Sequence, residues 1–342
     1  MKIMYVVGPL ATGILTYLIN LTDKLIDKAD ITVVYGVWPE TPDNPGELFD
    51  KRVKLIQIES FKREISLKDD LKTAKEIKKI ANEIKPDVIH MHSSKAGALG
   101  RALLSNKKSR LFYTPHGYAF LMNVSGKKKA VYHIIEKLLA KRAVTIACSK
   151  SEYEIALTLC KKAECIDNGI DLDKFKNNTS FDIPRVYTSG RVSEQKNAEL
   201  FNEIASNLPD TEFTWIGAGP EEDKLTAKNI TVTGWVDRNS ALDHASRGNI
   251  FLLPSKWEGL SISLLEAMAE GKLCIVSDIP GNLNAIVNGE NGIVCKSLNE
   301  YVQTIENYKD YIHLAKNAVK SVEEKFSTDV MAEKYFALYS KQ

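Results

Sequence analysis

Two glutamates, Glu258 and Glu266, stand eight positions apart around a predicted helix start. The apolar run 250–253 precedes Glu258, and the apolar-periodic segment 260–268 carries Glu266. This order predicts a strand, a glycine-containing turn and a helix, whose free backbone N–H groups attract an anion. A carboxylate can also accept two hydrogen bonds from a vicinal diol. The pattern fits a ligand that carries both phosphate and ribose, although a capped helix with one solvated glutamate explains this stretch equally well.

A cationic loop, residues 190–197, follows the first predicted strand of the second half and contains Arg191 and Lys196. Arginine can bind a diphosphate through two parallel hydrogen bonds, and lysine acts as a point charge. If this loop and the Glu258 turn share a cleft, they form a phosphate site with two walls. Residues 217–220 also end a predicted strand, but they lack the third glycine of the dinucleotide fingerprint, and a plain tight turn explains them nearly as well.

Histidines mark two predicted strand ends in the first half of the chain. His90 and His92 alternate along one strand and so project to the same side. No third ligand lies close to them in sequence, and a metal site is therefore not expected. His116 follows the next strand, within residues 114–118. An isolated histidine is usually structural, whereas a loop at a strand end favours function, and both roles stay open for His116.

The composition is that of a soluble, cytoplasmic protein with about two domains. The 342 residues are 44% apolar and 26% charged. No apolar run approaches the roughly 20 residues that span a bilayer, and the opening stretch 1–8 is too short for a signal peptide. The five cysteines include no C-x-x-C pair, as expected of core residues in a reducing compartment. They are Cys148, Cys160, Cys165, Cys274 and Cys295.

The net charge of +2 hides an asymmetry between the two halves. Residues 1–165 contain 28 Lys and Arg against 18 Asp and Glu, and the remainder contains 18 against 26. Most of the excess falls in residues 100–165, which include Lys127, Lys128 and Lys129. Such blocks are often solvated helix faces, but a basic domain can also dock on an anionic surface. Because no nucleic-acid-binding signature accompanies them, an anionic membrane is expected rather than nucleic acid.

Short apolar runs alternate with helical patterns along the chain, which predicts an α/β fold with parallel strands. Strands are predicted at 3–7, 31–35, 53–58, 88–92, 111–114, 144–148, 185–189, 212–216, 230–233, 250–253, 273–276 and 292–294. Helices are predicted at 13–28, 67–84, 95–104, 128–142, 149–159, 197–206, 221–227, 239–245, 260–270, 282–288 and, broken near residue 327, 298–341. Ser149 and Glu152 form a capping-box pattern. With a linker in 168–184, the alternation predicts two doubly wound Rossmann-like domains facing each other across a cleft.

Together these motifs resemble the retaining GT-B glycosyltransferases, and within them the large glycosyltransferase family 4 of bacterial capsule, exopolysaccharide and lipopolysaccharide synthesis. The residues that carry the resemblance are the E-x(7)-E pair, Pro254-Ser255 before it, Arg191 and Lys196 upstream, and Asn168-Gly169-Ile170-Asp171 between the halves. Residues 88–97 and 115–120 resemble a surface-polysaccharide subset. The family often has Gly-Gly in its first loop, where this chain has Thr12-Gly13 and therefore one glycine for close approach.

The resemblance implies metal-independent, retaining transfer of the hexosyltransferase type from a nucleotide diphosphate sugar, with uracil as the expected base. Arg191 and Lys196 would bind the diphosphate and stabilise its charge as it leaves. Glu258 and, from the other domain, His116 would contact the donor sugar, and Glu266 would hold the ribose. Further donor contacts implied are Gly259, Leu260, Ser261, Gly190, Gly219 and Gly13, and the implied acceptor contacts are Thr12, His92, Ser93 and Lys95.

The implied domains are an acceptor-side domain, 1–167, with the helix 325–342 crossing back onto it, and a nucleotide-sugar domain, 168–324. The implied acceptor is a glycan or a polyisoprenyl diphosphate-linked oligosaccharide at the inner face of the cytoplasmic membrane, and no cofactor is expected. Two other functions stay open, a sugar-nucleotide epimerase and a non-catalytic partner of another transferase. A glycosidase that uses Glu258 and Glu266 as acid and base is not expected, because one glutamate is predicted in a turn and the other in a helix, with phosphate-binding cations nearby.

Overall fold

The computed structural model describes residues 1–105, 107–121, 125–161, 163–176 and 179–341. The chain forms two compact units: Met1–Asn168 with Thr328–Gln342 make unit 1, and Gly169–Ser327 make unit 2. Among the helices described, none combines the length and the apolar character that crossing a bilayer requires.

Within its described residues, unit 1 has a seven-stranded parallel sheet in the order β3-β2-β1-β4-β5-β6-β7. The strands are β1 Lys2–Pro9, β2 Asp30–Gly36, β3 Lys54–Gln57, β4 Val88–His92, β5 Arg110–Thr114, β6 Val144–Ala147 and β7 Ala163–Cys165. The first helices are α1 Thr12–Leu25, α2 Leu67–Ile84, α3 Ser94–Leu103, α4 Gly126–Leu139 and α5 Lys150–Leu159. Residues 3–7 of β1 are wholly buried, as expected of a parallel strand covered on both faces.

The part of unit 2 that the structure describes has a six-stranded parallel sheet in the order β10-β9-β8-β11-β12-β13. The strands are β8 Arg185–Ser189, β9 Glu212–Ile216, β10 Ile230–Val232, β11 Ile250–Leu253, β12 Leu273–Ser277 and β13 Ile293–Cys295. The helices are α6 Ala198–Asn207, α7 Arg238–Arg247, α8 Ile262–Ala269, α9 Pro280–Leu283, α10 Leu298–Glu306 and α11 His313–Lys325. Both sheets have the doubly wound order, and this part of the predicted fold class is confirmed.

The last helix, α12 Thr328–Ser340, belongs to unit 1 and packs on α1. Tyr335 and Tyr339 of α12 are fully buried in unit 1. At the surface, Lys24 of α1 forms an ion pair of 3.0 Å with Asp329. The chain therefore leaves unit 1 once and returns to complete it.

Three predicted helices are wrong or incomplete. Residues 221–227 form only a short 3₁₀ turn, Glu222–Lys224, because the backbone N–H groups of Thr226 and Ala227 donate to Asn202 Oδ1, at 2.7 and 2.8 Å, in place of helical carbonyls. Of 282–288, only the start lies in α9, since Asn291 bonds the backbone of Ala285 and Val287 in place of a helical turn. The tail is broken a second time, between α10 and α11. Strand β7 was not predicted, because its three residues form no apolar run.

Candidate functional site

The strand order of unit 2 reverses between β8 and β11, and ligands of open α/β sheets bind at the carboxyl ends of strands at such a point. The loops that follow these two strands, 190–197 and 254–261, carry most of the predicted donor contacts. The backbone N–H of Lys256 donates to the carbonyl oxygen of Gln195 at 2.8 Å and ties the loops together. The fold thus brings together the two segments expected to form a phosphate site.

Lys196 and Glu258 form an ion pair of 2.7 Å at this point. Their side chains are only 14% and 7% exposed, and so the pair is largely shielded from solvent. The Glu258 carboxylate also accepts a hydrogen bond from the Ser255 hydroxyl at 2.8 Å and from Gln195 Nε2 at 3.2 Å. A diphosphate at this site would compete with Glu258 for the Lys196 ammonium.

Arg191 is exposed, and its guanidinium has no hydrogen-bond or ion-pair partner among the described residues. Glycines hold its loop close to the loop after β9. Gly217 has a φ of +132°, and a Cβ there would lie 2.3 Å from the carbonyl oxygen of Gly190. A Cβ on Gly219 would lie 2.1 Å from the carbonyl oxygen of Val192. Gly219 is therefore required for backbone packing beneath Arg191, which is a structural role.

Glu266, in α8, is buried and faces Arg238 at the start of α7. Arg238 binds both carboxylate oxygens, with Nη1 to Oε2 at 3.1 Å and a second bond from Nη2 to Oε1. The pair lines a small concave pocket next to Ser189, the last residue of β8. Glu258 and Glu266 thus each have their own cation, which is not the arrangement of an acid and a base acting on one bond.

Arg238 belongs to this site although its place in the sequence alone did not indicate it. One local signal was present: Asp237 caps α7 by accepting from the backbone N–H groups of Asn239 and Ser240, and a cation directly after such a cap opposes the helix dipole unless an anion faces it. The identity of that anion, Glu266, is a matter of tertiary structure because 28 positions separate the two residues.

The start of α8 is shaped by Ser261, whose hydroxyl accepts the backbone N–H of Leu264 at 3.4 Å. Leu260 is buried, whereas Gly259 is exposed with open space around its Cα. A Cβ on Gly281, in α9, would lie 2.3 Å from the carbonyl oxygen of Gly259. The backbone of α9 therefore packs closely against the turn before α8. The side of the turn at Gly259 is open to solvent.

In unit 1, the structure joins the three histidines that the sequence places on separate segments. The rings of His90 and His92 have centroids 4.0 Å apart on β4, which confirms that they project to one side. His92 Nδ1 lies 2.8 Å from His116 Nε2. The ring nitrogens of His90 are bonded to the hydroxyls of Tyr339, at 2.5 Å, and Thr114, at 2.9 Å. Among the described residues, no group of three or more histidine, cysteine or acidic side chains could bind a metal ion.

Burial lowers the pKa of all three imidazoles. The pKa of His90 and that of His92 fall well below the ordinary value, first through desolvation and then through repulsion from the neighbouring imidazoles. Desolvation lowers the pKa of His116 to about 3. All three rings are therefore neutral at pH 7, and His116, which is partly exposed, acts as a neutral hydrogen-bonding group.

The His116 loop is held by a buried carboxylate. His116 has a φ of +51° in the left-handed region, and the N–H of Gly117 donates to Glu152 Oε1 at 2.7 Å. Glu152 Oε2 accepts from the N–H of Cys148 at 2.8 Å, and burial raises the pKa of Glu152. The predicted capping box is confirmed in one of its two hydrogen bonds, since the Ser149 hydroxyl accepts from the Glu152 backbone N–H at 3.2 Å. The second bond is absent, because the Glu152 carboxylate binds the backbone N–H groups of Gly117 and Cys148 and not that of Ser149.

The other predicted residues of unit 1 do not form one cluster. Lys95 is bound internally, to the carbonyl oxygens of Lys62 at 2.6 Å and Glu64 at 2.5 Å and to Asp70 at 2.8 Å. These three contacts use its ammonium donors, which favours a structural role over an acceptor contact.

The remaining predicted site residues of unit 1 lie at helix starts. Ser93 precedes α3 with a φ of +82°, and its hydroxyl is buried without a hydrogen-bond partner in the described part of the chain. Thr12 and Gly13 open α1. The structure does not describe the side chain of Thr12. Gly13 is exposed.

Two family models match consecutive parts of the chain, "Glycosyltransferase Family 4" over residues 11–174 and "Glycosyl transferases group 1" over residues 183–309. UDP-Gal:alpha-D-GlcNAc-diphosphoundecaprenol alpha-1,3-galactosyltransferase of Escherichia coli is 32% identical over 281 residues, which cover 71% of each chain. N,N'-diacetylbacillosaminyl-diphospho-undecaprenol alpha-1,3-N-acetylgalactosaminyltransferase of Campylobacter jejuni is 25% identical over 335 residues, or 86% of this chain and 88% of that relative.

Solved structures share the fold over nearly the whole chain. Sucrose-phosphate synthase of Thermosynechococcus elongatus gives a TM-score of 0.85 at 18% identity and covers 99% of this chain and 98% of that one. Anabaena Alr3699/HepE in complex with UDP and glucose gives 0.79 at 17% identity, covering 99% of each. The relative at 32% identity over more than two thirds of both chains, together with the two family models, shows that this protein is a glycosyltransferase of family 4 with the GT-B fold.

Proposed function

We propose that the enzyme moves a hexose, with retention of configuration, from a nucleotide diphosphate sugar to a hydroxyl of a glycan or lipid-linked oligosaccharide in bacterial surface-polysaccharide synthesis. UDP-sugar is the expected donor. The names of the relatives support these classes, since that of the E. coli relative contains UDP-Gal and a diphosphoundecaprenol-linked sugar. Within this chain, the observation that carries the proposal is the ion pair of Lys196 with Glu258, which joins the loops after β8 and β11 at the switch point of the sheet. Arg191 belongs to the same loop as Lys196.

Breaking a sugar–phosphate bond develops negative charge on the diphosphate and positive charge at the anomeric carbon, and fixed cations and amides at the leaving group are therefore most effective. Arg191 and Lys196 would bind the diphosphate together with the backbone N–H groups of the open turn at Gly259. The acceptor oxygen bonds to the anomeric carbon on the face that the diphosphate leaves, and its proton passes to the leaving phosphate. We therefore propose catalysis without a metal or other cofactor.

The two glutamates would bind hydroxyl groups of the donor. Glu266 is oriented by Arg238 through both oxygens, and such a fixed carboxylate is suited to the two hydroxyls of a ribose. Glu258 would contact the donor sugar once the diphosphate draws Lys196 away from it. From unit 1, we propose that His116 contacts the sugar as a neutral imidazole.

The acceptor class suggests a place for the reaction. A polyisoprenyl diphosphate carrier is embedded in a membrane, and the excess of cations in residues 1–165 would draw the enzyme to the anionic inner face of the cytoplasmic membrane. We propose peripheral association there.

Replacing either diphosphate cation tests the proposal. Lys196→Ala and Arg191→Ala should each lower turnover by about a hundredfold, because each removes one charge-assisted contact that is strongest in the transition state. Transfer is measured as nucleoside diphosphate released in the presence of acceptor. Lys256→Ala, which removes an exposed lysine of the neighbouring turn, is the matched control and should retain activity.

Near-normal transfer by both variants, with unchanged thermal stability, would contradict the assignment of Arg191 and Lys196 to the diphosphate. A thermal-shift panel of nucleoside diphosphates and sugar nucleotides identifies the donor directly. Incubation of the enzyme with the donor alone distinguishes the epimerase alternative, since isomerisation of the sugar without acceptor would favour it. Nucleotide binding with no transfer to any acceptor would favour a non-catalytic partner.

A further inference from the structure

Helix α4, Gly126–Leu139, turns its apolar side away from the protein. Four of its residues follow the spacing i, i+3, i+4, i+7 that places side chains on one helix face. They are Val131, Ile134, Ile135 and Leu138, with exposed fractions of 53%, 56%, 36% and 74%, and we name them the apolar stripe. A surface helix normally buries such a stripe against the core, and a contiguous exposed apolar patch marks an interaction site.

The opposite side of α4 is held by buried polar contacts. Glu136 accepts hydrogen bonds from Arg101 Nη2 at 2.7 Å and from the hydroxyl of Tyr113 at 2.8 Å. Arg101 is 1% exposed and Glu136 4%. Rotating α4 to bury its apolar stripe would pull this pair apart, which is strongly destabilising for charges out of water. The outward direction of the stripe is therefore built into the fold.

Cations extend the same face at both ends. Lys127 and Lys128 lie one turn before the apolar stripe, and both are exposed. Lys141 and Arg142 lie one turn after it and are exposed as well. Between residues 126 and 142 the sequence contains one acid, Glu136, on the buried side. Lysines in a first helical turn oppose the helix dipole, and their placement is therefore not explained by helix stability.

We propose that α4 lies in the plane of an anionic lipid bilayer, with its apolar stripe among the acyl chains and its terminal cations among the headgroups. An exposed apolar face combined with clustered lysine and arginine is the chemistry of interfacial helices, and long cationic side chains can reach the headgroups while their stems stay apolar. The inference rests on the proposed lipid-linked acceptor and goes beyond it, because it names the inserting helix.

A second copy of this chain fits the face less well. In a symmetric contact the same patch meets itself. Because both ends of the apolar stripe are cationic, a paired α4 would oppose cations to cations in either the parallel or the antiparallel arrangement. A bilayer of anionic lipids has no such repulsion.

The test compares two matched double variants. Ile134→Ser with Leu138→Ser removes half of the apolar stripe. Leu67→Ser with Leu71→Ser removes two exposed leucines of α2, 83% and 58% exposed, whose first turn carries acids. With vesicles of phosphatidylglycerol and phosphatidylcholine, the α4 pair should lower the partition coefficient at least about tenfold. The α2 pair should bind as the wild type does.

A second readout is independent of activity. Leu138→Trp should give an emission that shifts to the blue on these vesicles and is quenched by brominated acyl chains. Transfer to a water-soluble acceptor analogue should be unchanged in the α4 pair, so that a failure of membrane insertion and a failure of the glycosyl-transfer proposal give different results.

Three outcomes would overturn the inference. The α4 pair could bind vesicles as tightly as the wild type, or the Leu138→Trp emission could stay unchanged on vesicles. Light scattering could instead show a wild-type dimer that the α4 pair converts to a monomer, which would assign the apolar stripe to an interface between copies.

Discussion

At the scale of single residues, Glu258 and Glu266 are distinguished by their partners. Glu258 binds the predicted diphosphate lysine, Lys196, whereas Glu266 binds Arg238 through both oxygens. A carboxylate that a guanidinium binds at both oxygens keeps its orientation. A carboxylate that is bound by one flexible ammonium can lose that ammonium to another anion. The geometry therefore favours a permanent positioning role for Arg238 and an exchangeable contact for Lys196.

Arg238→Ala should raise the KM for the donor about tenfold, with a smaller change in kcat, because Glu266 loses its orientation while the diphosphate contacts remain. The loss of stability should be about 1 kcal/mol, since Arg238 is 45% exposed and its charge is screened. Arg238→Lys should restore only part of the affinity, because the two-point contact is lost. Arg247→Ala, in the last turn of the same helix, is the control. Donor titration that gives equal KM values for all forms would contradict the role.

At the scale of elements, β4 carries two buried histidines into a cluster completed by α12 and the His116 loop. His90 bonds Tyr339 of α12, and His92 bonds His116. Because folding lowers the pKa of these imidazoles, the unfolded chain takes up protons that the folded chain does not. Their contribution to stability is thus present above the unfolded pKa of about 6.5 and is lost as the pH falls.

The free energy of unfolding should therefore decrease as the pH is lowered from 7.5 to 5, by up to about 1.4 kcal/mol per pH unit for each fully neutral histidine. His90→Gln should destabilise the protein at pH 7.5 but flatten this slope by about one proton. His313→Gln, at an exposed position, should leave the slope unchanged. Urea unfolding at several pH values measures it, and a wild-type slope in His90→Gln would refute the assignment.

At the scale of the whole molecule, the two ends of the chain build one unit. Unit 1 depends on α12, which buries Met331, Tyr335 and Tyr339, while unit 2 is continuous in sequence. The chain is similar over 99% of its length to solved structures that share the fold.

A stop after Ser327 should therefore unfold unit 1 and spare unit 2. Removing α12 uncovers the buried faces of α1 and leaves His90 without the Tyr339 hydroxyl. Hydrogen exchange by mass spectrometry should show loss of protection in β1 and β4 and native protection in β8 and β11. Asp329→Ala, which removes only the exposed ion pair with Lys24, should keep both patterns. Native protection of β1 in the truncated chain would disprove the dependence.

Much of the fold and part of the candidate site were predictable from local pattern. Apolar runs such as residues 3–7 predict buried parallel strands, because a strand covered on both faces needs no alternation. The glycine turn before α8 and the cations Arg191 and Lys196 were also predictable, because each directly follows an apolar run that predicts a strand. Short elements such as β7 were missed, since three residues carry too little pattern.

Local sequence patterns thus predict every described strand except β7, most helices, the two doubly wound units and the loops that carry Arg191, Lys196 and the glutamates. Tertiary structure alone decided that Arg238 orients Glu266, that Glu152 orders the His116 loop and that Lys95 is used internally. It also turned the apolar stripe of α4 outward, because the buried Arg101–Glu136 pair occupies the other face. Periodicity depends on neighbours along the chain, whereas these pairings join residues 25 to 35 positions apart. Only the path of the folded chain brings such partners within hydrogen-bonding distance.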